Sequence, residues 1–154
     1  MPLSLSAVPS VPVTNQEKLH AIRGMALFAT IPDSVLSMSI APIMKEVDFQ
    51  DGEWIFAKGH LGSSLFVVHA GEVGVFNGAH QLATFRRGEF FGELALLDAE
   101  PRSATAVAQG SVIAFRLDQE DFYDVMKKHS EVLHNILRVL CERLRRQNEA
   151  MARY

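Results

Sequence analysis

Cysteine is nearly missing from this chain, with Cys141 the only one among 154 residues. An intramolecular disulfide and a cysteine-based zinc site are thereby excluded, and a reducing cytosol suits such a chain best. Long apolar runs are missing too: none approaches the ~20 residues of a membrane-spanning helix, so no direct membrane insertion is expected. The opening MPLSLSAVPSVPV lacks the basic start and continuous apolar core of a secretory signal. Positive charge is not in excess. Against 18 acidic residues stand 15 lysines and arginines, a formal charge of −3 that offers no general attraction to nucleic acid or anionic membrane. Only the end is locally basic, through Arg143, Arg145, Arg146 and Arg153. There is no nucleophile elbow, no Walker loop and no histidine pair at metal spacing, and hence no expectation of an enzyme. Internal repeats and low-complexity tracts are absent as well.

What is present reads as one globular domain. Hydrophobic residues make up 48% and charged residues 21%, ordinary values for a chain that folds alone around one core. Thr14-Asn15-Gln16-Glu17 has capping-box spacing, which predicts a helix to about Gly24. Pro32 suits the first turn of a second helix, and Pro42 is expected to stop it. From Met44 to Leu117 short β-rich runs are punctuated by glycines at the spacing of an antiparallel all-β unit. Its clearest hairpin runs from Val73 to Phe76, turns at Asn77-Gly78 in a type I′ geometry, and returns from Leu82 to Phe85. Ile113, Phe115 and Leu117 alternate with Ala114 and Arg116, so that strand should have an inner and an outer face.

Asp118 can cap a helix through about Lys128, and Ser130 a final long one. In the latter, Leu133, Leu137, Leu140, Leu144 and Met151 form a 4-3-4 seam, with the polar Gln147 at one of its steps. The expected organisation is a leader over 1–13 and a domain over 14–154. That domain comprises helices over 14–42, a β-roll over 44–117 and helices over 119–151. The fold class is mainly β with flanking helices: an antiparallel, jelly-roll-like β-roll with N-terminal helices and two C-terminal ones.

The stretch FFGELALLDAEPRSATAVA carries the chemistry. A helix start after Gly92 would present free backbone N–H groups to an anion, and glycine has no side chain to hold a ligand away. Arg102 adds a permanent charge whose planar fork matches two phosphate oxygens, while Ser103, Ala104 and Thr105 leave room beside it. Glu93 would repel an anion unless it had another task, such as accepting hydrogen bonds from a sugar hydroxyl. An anion with a neighbouring hydroxyl describes a sugar phosphate or a nucleotide. The competing structural explanation is a Glu93–Arg102 ion pair tying the loop to the sheet.

Phe91-Gly92-Glu93-Leu94-Ala95-Leu96-Leu97 followed by Pro101-Arg102-Ser103-Ala104-Thr105 resembles the phosphate-binding cassette of cyclic nucleotide-binding domains. These occur in regulatory subunits of cyclic-AMP-dependent kinase, in cyclic-nucleotide-gated channels and in catabolite-activator regulators. The resemblance extends from about Phe28 to Asn148, through Gly52-Glu53-Trp54-Ile55-Phe56, Leu65-Phe66-Val67-Val68 and Gly71-Glu72-Val73. It implies that Arg102 holds the exocyclic oxygens of a cyclic phosphate and Glu93 the ribose 2′-hydroxyl. The amides around Gly92, Leu94, Ser103 and Ala104 would meet the remaining oxygens. It further implies that Val75 and Leu82 line the base pocket, that Gln147 and Asn148 reach the base from the last helix, and that a serine at position 103 favours cyclic AMP over cyclic GMP. Gln147 could equally be a register device in the seam, and Arg145 and Arg146 are neighbouring candidates for the same contact.

The ligand expected from the resemblance is thus cyclic AMP or cyclic GMP, without a metal. The protein is expected to be cytoplasmic, or the cytosolic part of a larger protein, with a homodimer or an effector domain meeting its last helix. The chain stops at Tyr154 without a helix-turn-helix unit, so no DNA partner is expected. Two other readings stand beside this one: a fold of the same family that has lost its ligand and serves as an interaction module, and a cupin-like metal enzyme. The second would need convergent histidines, and His60, His69 and His80 are scattered.

Overall fold

Residues 15–152 are described by the structure, a computed structural model. The expected leader and the Thr14 cap lie outside them. Helix α1 spans Asn15–Arg23. Its last residue bends back over the following turn, with the Arg23 guanidinium donating to the carbonyls of Phe28 at 3.0 Å and Ile31 at 2.8 Å and pairing with Asp33. A 3-10 turn at Ala26–Phe28 leads to a helical path over 33–43 that is α, then π, then 3-10. Pro32 stands at the N-cap, just ahead of that path rather than inside its first turn. Pro42, however, lies inside the final 3-10 turn rather than stopping a helix ahead of it. A proline costs no hydrogen bond in the opening turn of a new helical segment, because the N–H it lacks would have no partner there.

The β-unit runs from Lys45 to Asp118. Its strands are β1 (Lys45–Phe49), β2 (Trp54–Phe56), β3 (Leu61–Gly62), β4 (Ser64–Asn77), β5 (His80–Phe85), β6 (Phe90–Phe91), β7 (Glu100–Pro101) and β8 (Thr105–Asp118). β4 and β8 pair antiparallel from Ser64 opposite Asp118 to Phe76 opposite Thr105 and form the spine. β1 and β2 add to β8, while β5 and β6 add to β4. A separate two-stranded ladder joins β3 to β7. Between β6 and β7 lies the short helix α2 (Glu93–Leu97); after β8 come α3 (Gln119–Lys128) and α4 (Ser130–Ala152). The chain is therefore an antiparallel β-roll flanked by helices.

Strand alternation sends neighbouring side chains of the spine to two separate cores. Leu65, Val67, Phe115 and Leu117 pack with Ile22, Phe28 and Phe122 beneath the helices. Phe66, Val68, Ala108, Val112 and Ala114 fill the inside of the roll with Phe91. The expected inner and outer faces of residues 113–117 are thus both covered: Ala114 and Phe115 are equally inaccessible, because helices cover the second face of the strand.

The hairpin forms one residue later than expected. Asn77 still pairs with His80, so Gly78-Ala79 is the two-residue turn. Gly78 has a φ of 62° and Ala79 has no positive φ, which fits a type II′ turn with glycine first and not type I′. Asp118 does precede α3, but its carboxylate caps nothing. It accepts instead from Ser64 Oγ at 2.8 Å and Lys45 Nζ at 3.0 Å, beside Arg116, and so ties three strands together. Burial pushes the Asp118 carboxyl up, yet the hydrogen bonds from Ser64 and Lys45 and the charge of Arg116 outweigh it and leave the pKa below the usual aspartate value.

Helix α4 shows which of its faces is buried. It is held by Val132 and Ile136, both buried, and by Asn135, whose side-chain amide donates to the Leu27 carbonyl at 3.1 Å. The seam divides: Leu133, Leu137, Leu144 and Met151 are exposed, while Leu140 is half-buried against the helical core. This helix has apolar residues on more than one face, and periodicity alone does not say which face meets the roll.

Candidate functional site

Strand β6 ends at Phe91, opposite Phe66, and the chain then turns sharply at Gly92 into α2. The turn needs glycine twice over. Its φ of 87° is left-handed, and a Cβ there would stand 2.6 Å from the Ser64 carbonyl oxygen and 2.8 Å from Arg102 Nη1. Glu93 opens α2, and the segment after β7 returns Arg102 to the same place. Arg102 is pinned by its backbone, its N–H donating to the His60 carbonyl and its own carbonyl accepting from Gly59, each at 2.8 Å.

The Arg102 side chain is half-buried. Its Nη2 donates to the Ser64 carbonyl at 2.8 Å, and its guanidinium carbon lies 4.3 Å from the centre of the Phe56 ring. Nε is fully buried and has no hydrogen-bond partner. Burial lowers the pKa from the usual arginine value, though the group remains a cation at neutral pH. A guanidinium with five donors that makes one side-chain hydrogen bond, to the Ser64 carbonyl, is short of acceptors, which is the condition an incoming anion relieves.

Glu93 does not pair with Arg102. Its Oε1 accepts from Arg143 Nη2 of helix α4 at 2.6 Å, with the Glu93 side chain only 16% exposed. The ion-pair alternative of Glu93 with Arg102 is therefore replaced by an ion pair between α2 and the last helix. Arg143 had drawn notice only as part of the basic end; its place one turn before Gln147 is the signal that could have singled it out.

A cleft of about 420 Å³ unites most of the expected residues. Gly92, Glu93, Leu94, Arg102, Ser103, Ala104 and Val75 all line it. Phe56, Phe85, Phe90 and Phe91 complete the apolar wall and had not been anticipated. The volume lies within the ~300–1,000 Å³ usual for small-molecule sites. Three expected residues stand elsewhere. Leu82 is 54% exposed on β5, and Gln147 and Asn148 are exposed on α4; none of them lines the cleft. Arg143 is the residue through which α4 reaches the cassette, and Gln147 lies a turn farther out. The donor set still fits an anion joined to a hydroxyl: an under-used guanidinium, a glycine turn without room for a side chain, and a carboxylate with a second oxygen to offer.

Among the described residues no three histidine, cysteine, aspartate or glutamate side chains are grouped to hold a metal ion. No helix among them is long and apolar enough to cross a membrane.

Comparison with known proteins points the same way. A cAMP-dependent protein kinase regulatory subunit of Mucor circinelloides f. lusitanicus is 34% identical over 109 residues, covering 64% of this chain and 26% of that protein. The Cyclic AMP receptor protein of Thermus thermophilus is 32% identical over 129 residues, covering 80% and 59%. The chain thus spans less than two thirds of the length of these curated relatives. Among solved structures, the N-terminal domain of a transcriptional regulator from Streptomyces coelicolor A3(2) superposes with a TM-score of 0.78 at 32% identity, over 85% of this chain and 94% of that one. With a transcriptional regulator among the relatives, the expectation that DNA is not a partner is unsupported. The family model described as "Cyclic nucleotide-binding domain" matches residues 46–129, more than half of the 154 residues. On that match, on the relatives and on the shared β-roll, this chain belongs to the cyclic nucleotide-binding domain family.

Proposed function

We propose that residues 14–154 form a cytoplasmic sensor domain without catalysis of its own, which binds cyclic AMP in preference to cyclic GMP and passes the event to helix α4. One observation carries this reading. Arg102, with donors to spare, and Glu93, held from α4 by Arg143, meet in one cleft. In the proposal, Arg102 and the amides at Gly92, Leu94, Ser103 and Ala104 take the cyclic phosphate. Glu93 accepts from the ribose 2′-hydroxyl, and Val75 receives the base. Ser103 supports the choice of cyclic AMP. Gln147 and Asn148 would join only after the end of α4 moves toward the roll, so the ligand must favour that arrangement over the present one.

Calorimetric titration of protein stripped of nucleotide by unfolding and refolding tests the reading. Micromolar or tighter binding is expected, tighter for cyclic AMP. No heat from folded protein with either nucleotide would leave an interaction module that has lost its ligand.

Arg143 bears on the coupling. Because it occupies one carboxylate oxygen, it orients Glu93 and leaves the other oxygen to the ribose. Arg143→Ala is expected to weaken cyclic AMP binding about 5-fold, the size of a partly exposed ion pair. Titration with 2′-deoxy cyclic AMP should show no such loss. An equal loss with both nucleotides would detach Arg143 from the ribose.

The exposed leucines of α4 support the expected partner. Leu133, Leu137 and Leu144 are 38%, 49% and 58% exposed, on a helix whose buried face is already satisfied by Val132 and Ile136. We read the stripe as the seat of a second copy, with an effector domain as the other candidate. Light scattering should give twice the mass of the monomer, and a monomer at high concentration would leave the stripe to the effector.

A further inference from the structure

Arginine has a long, flexible side chain, and the hydrogen bonds of the Arg102 backbone do not direct its end. Something else must aim it. The guanidinium lies over the Phe56 ring at 4.3 Å, donates one bond to the Ser64 carbonyl at 2.8 Å, and is packed so closely on Gly62 that a Cβ there would fall 1.9 Å from Nε. Nε itself is buried without a hydrogen-bond partner, and the face of an aromatic ring is the remaining compensation for its positive charge. The ring is held in turn. Phe56 meets Phe66 at 6.1 Å and Phe91 at 5.8 Å, and Phe91 is the residue just before Gly92.

We propose that Phe56 is a positioning residue, the shelf that keeps the Arg102 guanidinium at the cleft before any ligand arrives. Resting on the anion-binding reading of Arg102, this adds the source of its preorganisation, since a guanidinium already in place loses less freedom on binding. Phe56 also lines the cleft. A direct contact with the base is therefore the rival role, and the experiment separates the two.

Two measurements on the whole chain test the shelf. The first is the Arg102 Nε–H resonance in ¹⁵N-resolved NMR, assigned by its disappearance in Arg102→Lys. In the wild type and in Phe56→Tyr it should be displaced by the ring current and exchange slowly; in Phe56→Leu it should return to the position and exchange rate of a free arginine. The second is titration with cyclic AMP and with adenosine, which lacks the phosphate. Phe56→Leu should weaken cyclic AMP about 3- to 30-fold, the range of a cation–π contact, and adenosine by clearly less, while Phe56→Tyr restores cyclic AMP affinity.

A wild-type Nε–H without ring-current displacement overturns the shelf and needs no variant to show it. Equal losses for cyclic AMP and adenosine overturn it in favour of base contact. Wild-type protein that binds neither cyclic AMP nor cyclic GMP removes the sensor reading instead, and the Nε–H resonance then still decides whether Phe56 holds Arg102.

Discussion

Arg102→Ala is expected to lower the affinity for cyclic AMP by about 100-fold or more. Hydrogen bonds to charged groups contribute about 1.5–3 kcal/mol each, and a guanidinium can give a phosphate two of them, so about 3–6 kcal/mol is at stake. The fold should survive the change, because Arg102 makes a single side-chain hydrogen bond, to the Ser64 carbonyl, and belongs to neither hydrophobic core. Arg102→Lys keeps the charge and loses the planar fork, so its affinity should fall between the two. Displacement of a fluorescent cyclic AMP analogue, with thermal melting in parallel, measures both effects. An alanine variant within about threefold of the wild type would mean that the phosphate is not held at this arginine.

Phe122→Ala is expected to lower the unfolding free energy by about 3–5 kcal/mol, the usual cost of deleting a buried ring and leaving a cavity. The position is demanding. Phe122 is wholly buried where α3 meets the 3-10 turn after α1, edge-on to Phe28 with ring centres 5.9 Å apart at 86°. No single neighbour can collapse into the space without pulling helices from opposite ends of the chain. Against a typical domain stability of about 5–15 kcal/mol, the variant would be marginal, and saturating cyclic AMP should restore part of the loss by binding only the folded state. Urea unfolding with and without the nucleotide gives both quantities. A loss under about 1 kcal/mol would show that these helices do not unfold as one unit with the roll.

The roll itself was legible because its signals are local. Glycine-punctuated β-runs, the alternation around Phe115 and the cassette from Phe91 to Thr105 each lie within a few residues of one another. Hairpin register was less so: Asn-Gly announces a turn, but whether Asn77 lies in the turn or in the ladder depends on its pairing with His80 across the hairpin. Asp118 fell at the right boundary with the wrong partners, since Ser64 and Lys45 reach it from distant strands.

The candidate site divides along the same line. Seen in the sequence alone, Gly92, Glu93, Arg102 and their small neighbours already suggested the anion site with a hydroxyl acceptor proposed above, because charge, fork geometry and the freedom of glycine are properties of the residues themselves. What the two charges hold was decided only by the tertiary structure. Glu93 meets Arg143, 50 residues away, and Arg102 lies on Phe56, against Gly62 and under the Ser64 carbonyl. Likewise, the leucines of α4 marked an apolar seam, while burying Val132 and Ile136 and only Leu140 of that seam rests on which face the N-terminal helices and the roll can reach. Residue chemistry travels with the sequence, whereas the partner of a charge or an apolar face is set by long-range packing.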